Sequence, residues 1–316
     1  MKYLRTYTVG MQLLLFVLMA FTMLSAAGAL TSLVPKLSGI SAESLKVING
    51  STPAGVVHVA LLIQGLGSLM FFTLSSLLFA YITHPSPKKY LGLNAPKKPL
   101  HLLLSVMVML GAMPVFMALQ SLMGHIDFGP EVKAQQAAAE SVFTAYLTMH
   151  SVTDLIRTFI IVAMIPALGE ELFFRGIVMR FTHKASHSII IAILFSALMF
   201  ALVHASYTGL PSIFLAGALL AFIYYLTGSV WCGILAHMFF NGTQILANYL
   251  TGNADKAATT TNDLSIQWGL VAGGTILFAG ALYMLWKTRT PLSPDWSDDF
   301  DRPQNIATDE NPAIFN

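Results

Sequence analysis

The residues best suited to chemistry are glutamates, histidines and an asparagine that recur at helical spacing within apolar sequence. Glu170 and Glu171 lie in ALGEELFFRG, His204 ends FALVH, and His237 and Asn241 lie in LAHMFFN. A charged side chain at the centre of a bilayer costs about 2.5–3.5 kcal/mol on insertion scales, so such residues need partners or a function. A carboxylate, two imidazoles and an amide around one water molecule have the composition of a hydrolytic site.

The spacing of the charged residues indicates which carboxylate is reactive. Glu171 and Arg175 are four residues apart, lie on one helix face and can form an ion pair, which offsets much of their insertion cost. Glu170 is rotated by about 100° from Glu171 and lacks that partner. We therefore expect Glu170 to take a proton from a water molecule that His204 orients. Pro166 cannot donate a backbone hydrogen bond, so a kink there would admit water.

The remaining motif residues have both functional and structural interpretations. His237 and Asn241 share one helix face and would hold a developing oxyanion, although a single His or Asn in a membrane helix commonly makes only an interhelical hydrogen bond. Taken alone, the Glu171–Arg175 pair is structural, and Phe200, four residues before His204, is a packing residue. These ionisable residues are concentrated in three of the predicted spans, and this clustering favours function.

The composition identifies the surroundings of these residues as lipid. The chain has 316 residues, of which 55% are hydrophobic and only 10% are charged, whereas a soluble domain has about 25% charged residues. We predict an all-α polytopic bundle in the lipid bilayer of the cell (inner or plasma) membrane. The net charge of +2 comes without a basic stripe and gives no support for nucleic-acid binding. The single cysteine, Cys232, excludes an intramolecular disulfide and a multi-cysteine zinc site.

Hydropathy predicts about eight membrane spans, the first of which resembles a signal peptide but is long enough to be a retained helix. Basic residues cluster in alternate connections, so we expect both termini to be cytoplasmic. The predicted spans are 9–34, 56–83, 100–123, 155–179, 187–205, 210–227, 230–250 and 267–286. The basic residues on the predicted cytoplasmic side are Lys2, Arg5, Lys88, Lys89, Lys97, Lys98, Arg180, Lys184, Lys287 and Arg289.

The spans and their connections divide the chain into five predicted segments. These are the first three spans (1–123), an extracytoplasmic loop with an amphipathic helix (124–154), a catalytic core of spans four to seven (155–250), the eighth span (267–289) and a disordered acidic tail (290–316). A capping box of Ser151 and Asp154 would start the fourth span. Counted from the predicted cytoplasmic ends of their spans, Glu170 lies about 15 Å deep in the membrane and His204 about 25 Å deep. This difference in depth does not fit two residues of the same site.

Other classes of membrane protein fit the same residues less well. Two histidines and a carboxylate could bind zinc, but no H-E-x-x-H occurs. The apolar core of the spans has no aspartate for an aspartyl protease, and Gly228-Ser229-Val230 with His237 only loosely imitates a serine protease. A proton-coupled transporter remains the alternative from another class, although the internal repeat typical of many transporters is absent. A non-catalytic immunity or scaffold protein also remains open.

Across residues 150–250 the three motifs resemble those of the CPBP intramembrane endopeptidases, which include type II CAAX prenyl proteases and bacterial Abi proteins. The matching residues are Glu170-Glu171-x-x-x-Arg175, Phe200-x-x-x-His204 and His237-x-x-x-Asn241. The resemblance implies that Glu170 and His204 activate water, that His237 and Asn241 lie at the oxyanion, and that no metal or other cofactor is needed. It implies a membrane-embedded or lipidated peptide as substrate. CAAX specificity is not carried over, because no prenyl-binding groove is identifiable in the sequence.

Overall fold

The computed structural model describes residues 3–252, 264–294 and 296–297. Within these ranges the chain forms helices and no strand, which confirms the predicted all-α class. The main helices are α1 (Val9–Ser38, with an irregular turn after Thr31), α2 (Ala54–Thr83), α3 (Leu100–Gly124), α4 (Pro130–Leu147), α5 (Val152–Ser186), α6 (Ile189–Val203), α7 (Leu210–Thr227), α8 (Val230–Thr251) and α9 (Leu264–Thr288).

Seven of the described helices are long and apolar enough to cross a membrane, namely all except α4 and α6. The chain is therefore an integral, multi-pass membrane protein. The predicted span at 187–205 corresponds to α6, which has 15 residues. At 1.5 Å per residue α6 is about 22 Å long, shorter than the hydrocarbon core of about 30 Å.

Helix α5 carries the first motif and is longer than the predicted span 155–179. It has 35 residues and begins at the predicted capping box, where the backbone N–H of Asp154 donates to Ser151 Oγ at 3.1 Å. Because α5 continues to Ser186, Glu170 lies about 24 Å from its basic end, and His204 lies about 22 Å from the start of α6. The predicted difference in depth between Glu170 and His204 was therefore wrong. It arose because the fourth span was predicted to end at residue 179, whereas α5 continues to Ser186.

The course of α5 is irregular on both sides of the first motif. Wide π-helical turns occupy Phe159–Met164 and Leu172–Val178. The first of them directly precedes Pro166, whose missing N–H and bulky ring prevent a regular α-helical turn there. The kink predicted at Pro166 is thus accommodated as a widened turn, and π-helical turns of this kind occur frequently at functional sites.

Gly169 allows α2 to approach α5 directly beside Glu170. The π-helical segment Leu69–Leu74 of α2 packs at this point, and a Cβ atom built on Gly169 would lie 2.5 Å from Thr73 Oγ1 and 2.9 Å from Phe72 Cβ. Both atoms are close to the α2 backbone, so they cannot turn away as the end of a long side chain could. Only glycine therefore permits this helix separation.

We expect Gly169→Ala to lower the free energy of unfolding by about 1–3 kcal/mol, because overpacking forces the two helices apart. The matched control is Gly67→Ala on α2, where the added Cβ meets no atom within 4 Å. Thermal unfolding of both variants in the same detergent measures the difference. Equal melting temperatures for the two variants would contradict the close approach at Gly169.

The loop 84–98 closes one end of the bundle and sets the start of α8. The N–H of Val230 donates to the carbonyl of Gly92 at 3.0 Å, and the Ser229 hydroxyl donates to the carbonyl of Asn94 at 2.6 Å. Tyr90 in the single helical turn Pro87–Tyr90 is buried, which raises the pKa of its phenol to about 12. Lys98 Nζ donates to the carbonyl of Thr288 at 2.9 Å, so the first turn of α3 and the last turn of α9 also lie at this end of the bundle.

The beginning of the predicted disordered tail is instead packed against the same end of the bundle. The N–H of Thr290 donates to the carbonyl of Leu226 at 2.8 Å, and Arg180 Nη1 donates to the carbonyl of Trp296 at 2.7 Å. Trp296 and Ser297 are 5% and 2% exposed, and the Arg180 guanidinium lies 4.4 Å from the Trp296 ring centroid. The prediction of disorder is wrong for these residues because one indole supplies both an apolar ring and a cation–π partner. Residues 298–316 lie outside the described residues.

We expect Trp296→Ala to lower the free energy of unfolding by about 3 kcal/mol, since truncation of a buried Trp costs about 3–5 kcal/mol. Trp286→Ala is the comparison, because Trp286 is 47% exposed and its loss should cost much less. Melting temperatures in lipid nanodiscs distinguish the two variants. A larger effect at Trp286 than at Trp296 would show that the tail does not contribute to the fold.

The predicted helix of the loop 124–154 is α4, which begins with Pro130 at its first position. Most of α4 is exposed, and only its last residues, Ala145, Tyr146 and Leu147, are buried. Ala145 and Tyr146 pack with Val57 and Leu61 of α2. Helix α4 thus lies at the end of the bundle opposite to the loop 84–98.

Candidate functional site

The predicted ion pair forms at the centre of the bundle. Arg175 Nη1 donates to Glu171 Oε1 at 2.7 Å, and both side chains are fully buried. Arg175 Nη2 donates to the carbonyl of Gly217 on α7 at 2.7 Å, and its guanidinium lies 4.8 Å from the centroid of the Phe200 ring on α6. One i,i+4 pair on α5 is thus anchored to two neighbouring helices.

His237 of α8 lies between the two glutamates of the first motif. Its Nδ1 is 3.2 Å from Glu171 Oε1, and its Nε2 is 3.9 Å from Glu170 Oε2. An ionised carboxylate only accepts hydrogen bonds, so Nδ1 carries the proton in the contact with Glu171. This contact fixes the orientation of the ring and directs Nε2 towards Glu170.

Glu170 has unused hydrogen-bonding capacity in this cluster. It is 8% exposed, and its buried Oε2 has no hydrogen-bond partner among the described residues. Glu171 Oε2 also has no partner there, but it faces Gly233 of α8, where a Cβ would lie only 2.8 Å away. A buried polar atom without a partner is uncommon in native proteins and requires an explanation such as a catalytic role or a bound water.

His204, which we predicted to orient a water molecule beside Glu170, makes no direct contact with a carboxylate of the described residues. It caps the end of α6, is exposed, and its Nδ1 lies 2.7 Å from the carbonyl of Phe200. A carbonyl accepts hydrogen bonds, so Nδ1 donates and Nε2 is directed away from this contact. Neither ring nitrogen of His204 lies within 4.0 Å of a carboxylate of the described residues. His237 is therefore the histidine beside Glu170.

The Phe200 ring contacts both histidines. Its centroid is 4.7 Å from that of His204 and 5.7 Å from that of His237. The residue that follows His204, Ala205, has a φ of 48°, a left-handed conformation that is rare for a residue with a side chain. Such strain is found preferentially at functional sites. Phe200 and Ala205 together hold the His204 ring at the rim of the cluster.

Asn241 lies one turn beyond His237 on the same face of α8. It is half-buried, and its amide makes no hydrogen bond within the described part of the chain. Its two donors and its carbonyl oxygen are therefore available at the edge of the cluster. The structure thus places the predicted motif residues on α5, α6 and α8, with Glu170 and His237 buried together, Asn241 half-buried one turn further along α8 and His204 exposed at the end of α6.

Sequence reasoning missed two glycines that shape this site. Gly217 supplies the carbonyl that binds Arg175, and Gly233 leaves room for Glu171. Gly233 stands four residues before His237, so the helical periodicity that connects His237 to Asn241 could have included it. Gly217 lies in an apolar run without any spacing signal.

The zinc alternative requires His204, Glu170 and His237 to share one ion. Within the ranges that the structure describes, no three His, Cys, Asp or Glu side chains lie close enough together to hold a metal ion. The observed donor set therefore does not fit a three-ligand zinc site.

Comparison with known proteins identifies one family. Residues 152–243 match the family model described as type II CAAX prenyl endopeptidase, Rce1-like. The match begins at the first residue of α5 and ends two residues after Asn241, so it contains all three motifs. No curated protein and no solved structure matches the chain.

Proposed function

We propose that this protein is an intramembrane endopeptidase of the glutamate type, which is supported by the match of residues 152–243 to the family model described as type II CAAX prenyl endopeptidase, Rce1-like. It hydrolyses a peptide bond of a membrane-anchored or lipidated polypeptide. Water is activated by Glu170 with the help of the histidines, and no metal takes part. The site residues are Glu170, His204, His237 and Asn241, and they are supported by Glu171, Arg175 and Phe200.

One observation carries this proposal. Glu170 has a buried carboxylate oxygen without a hydrogen-bond partner, 3.9 Å from a histidine nitrogen whose ring is oriented by a second, fully buried glutamate. A buried carboxylate oxygen without a hydrogen-bond partner beside a histidine is suited to bind a water molecule and accept its proton. Unlike Glu171, which accepts from Arg175 Nη1 at 2.7 Å, Glu170 makes no ion pair with an arginine or lysine of the described residues.

The reaction follows from these positions. Water bound at Glu170 Oε2 attacks the carbonyl carbon of the scissile bond while its proton passes to the Glu170 carboxylate. His237 and Asn241, one turn apart on α8, donate to the oxyanion that forms, and His204 positions the water from the rim. The carbon–nitrogen bond then breaks as Glu170 returns the proton to the leaving amine, which restores the free carboxylate.

The roles of Glu171 and Arg175 extend beyond an ion pair. Glu171 Oε1 accepts from both Arg175 Nη1 and His237 Nδ1. When His237 carries a proton on each nitrogen, the charges of Glu170, Glu171, Arg175 and His237 balance, and Nε2 becomes a donor. Glu171 is therefore a positioning residue for His237, and Arg175 compensates the charge of Glu171 without reaching the substrate.

The test is peptide cleavage by the purified protein in lipid nanodiscs. A mixed library of membrane-tethered and prenylated peptides is incubated with the protein, with and without a zinc chelator, and the products are identified by mass spectrometry. We expect cleavage that is unaffected by the chelator. Loss of cleavage on chelation would contradict the metal-free mechanism. A measured proton flux in proteoliposomes without cleavage of any peptide would favour the transporter alternative.

A further inference from the structure

We propose that Ser196 of α6 is a positioning residue for the site. Its hydrogen bond to the backbone of α5 fixes the register of α6 and thereby holds the Phe200 ring against His204 and His237. The part of this proposal that concerns catalysis rests on the proposed function. The position of the Phe200 ring is a property of the fold and can be measured without a substrate.

Ser196 donates a hydrogen bond across the interface between α6 and α5. Its Oγ lies 3.0 Å from the carbonyl oxygen of Phe174, and the two residues are 0% and 1% exposed. A serine inside a helix can instead donate to the carbonyl four residues earlier in the same helix, as Ser76 does in α2 and Ser105 does in α3. A hydroxyl has only one donor, so the bond of Ser196 to α5 replaces a bond within α6.

The acceptor of this bond belongs to the π-helical turn Leu172–Val178, which directly follows the two glutamates of the first motif. The Phe174 carbonyl also accepts from the N–H of Met179, five residues later, which is the hydrogen bond of a π-helical turn. Ser196 uses the second lone pair of the same oxygen. The wide turn is thus bonded to α6 at the residue that precedes Arg175, so α6 is attached to α5 directly beside the buried ion pair.

The buried face of α6 has few other side chains that could fix its register. Its buried residues are Ala192, Ser196, Ala197, Phe200 and Ala201, so all of them except Phe200 are small. Small residues let helix backbones approach closely, but larger side chains form the ridges and grooves that interlock two helices. The hydrogen bond of Ser196 and the ring of Phe200 are therefore the two features of this face that oppose a slide of α6 along α5.

Phe200 lies one turn after Ser196 on the same face of α6, so the register of α6 determines where the Phe200 ring lies. This ring packs edge to face on the Phe174 ring, with a centroid distance of 5.3 Å and an interplanar angle of 83°. On its other side α7 is close, since a Cβ built on Gly217 would lie 3.0 Å from Phe200 Cδ1. Phe174 thus holds α6 twice, through its carbonyl to Ser196 and through its ring to Phe200.

A slide of α6 would displace groups of the site. The ring centroid of Phe200 lies 4.7 Å from that of His204 and 5.7 Å from that of His237, and the Phe200 carbonyl lies 2.7 Å from His204 Nδ1. His204 and the Phe200 ring would therefore move together relative to Glu170 and His237 on α5 and α8. A misplacement of about 1 Å can lower a reaction rate about 10²-fold. Ser196 thus acts through Phe200 and His204 and does not itself contact the substrate.

The experiment compares three variants of the full chain at this position. Ser196→Ala removes the hydroxyl, Ser196→Thr keeps it, and Ser196→Cys keeps the volume of the side chain but donates only weakly. The matched control is Ser105→Ala on α3, which removes a serine that is equally buried but bonds within its own helix at 2.6 Å. For each protein in lipid nanodiscs, kcat and KM for peptide cleavage and the melting temperature are measured.

We expect Ser196→Ala to lower kcat by about tenfold or more with little change in KM, because catalytic groups are displaced while substrate contacts remain. Ser196→Cys should resemble Ser196→Ala, whereas Ser196→Thr and Ser105→Ala should retain at least half of the wild-type kcat. Wild-type kcat in Ser196→Ala, even with a lower melting temperature, would overturn the positioning role. Wild-type kcat in Ser196→Cys would also overturn it, since the volume of the side chain would then be what matters.

Fluorine NMR supplies a readout that needs no substrate. With para-fluorophenylalanine at position 200, we expect one narrow resonance in the otherwise wild-type protein, in Ser196→Thr and in Ser105→Ala. The resonance should be shifted or broadened in Ser196→Ala, because the ring is no longer held in one place. An unchanged resonance in Ser196→Ala would overturn the inference. If the wild type cleaves no peptide, the proposed function fails, yet this resonance still decides whether Ser196 positions the Phe200 ring.

Discussion

Glu170→Gln is expected to reduce cleavage by about 10²–10⁴-fold, the usual contribution of a general acid–base group. The amide retains the shape of the side chain and its place beside His237, but it cannot take a proton from water. Initial rates in nanodiscs at saturating peptide measure the loss. The melting temperature should fall little, because the replaced oxygen has no hydrogen-bond partner among the described residues.

The matched control is Glu140→Gln on α4, an exposed glutamate whose Oε1 accepts from Gln136 at 2.8 Å. This variant makes the same chemical change away from the reacting atoms and should cleave at no less than half the wild-type rate. Full activity of Glu170→Gln, with Glu140→Gln also active, would exclude Glu170 as the base and with it the glutamate mechanism. Loss of insertion by Glu170→Gln would instead reveal a structural role.

Glu171→Ala and Arg175→Ala are each expected to lower the free energy of unfolding by about 3–5 kcal/mol, because each leaves a buried charge without its partner. Arg175 would lose the carboxylate at 2.7 Å while its guanidinium remains fully buried. The double variant should be less destabilised than the sum of the two single variants, since neither charge is then left alone. Chemical denaturation in mixed micelles measures all three values.

An exposed ion pair with the same geometry serves as the comparison. Lys46 Nζ lies 2.7 Å from Glu43 Oε1, but both side chains are more than half exposed. Lys46→Ala should change the free energy of unfolding by less than about 1 kcal/mol. If Arg175→Ala were no more destabilising than Lys46→Ala, the buried pair would not hold the site together.

Helical periodicity in the sequence predicted which motif residues share one helix face. Glu171–Arg175, Phe200–His204 and His237–Asn241 are each four residues apart, and a helix places such residues on one face whatever surrounds it. Low charge and long apolar runs predicted a membrane bundle, because no other solvent accommodates such a surface. The capping box at Ser151 was a local signal and was correct for the same reason, since its hydrogen bonds join residues three apart.

Contacts between distant residues could not be predicted in this way. Nothing in the local sequence indicates that His237 lies beside Glu171, 66 residues earlier, while His204 is exposed at the end of α6. The start of the tail was misjudged for a related reason. Its composition is acidic and proline-bearing, but a single Trp296 finds an aromatic and cationic cluster on α5 and α7 that is assembled only by folding.

The sequence by itself therefore determined the class of the protein, the three motifs and the residue types available for hydrolysis. Only the tertiary structure decided which histidine lies beside Glu170 and that Glu171 orients it. The physical reason is the range of the interactions involved. Periodicity and hydropathy act within one helix, whereas the proximity of two buried groups depends on how helices of unequal length, such as α5 and α6, pack against each other.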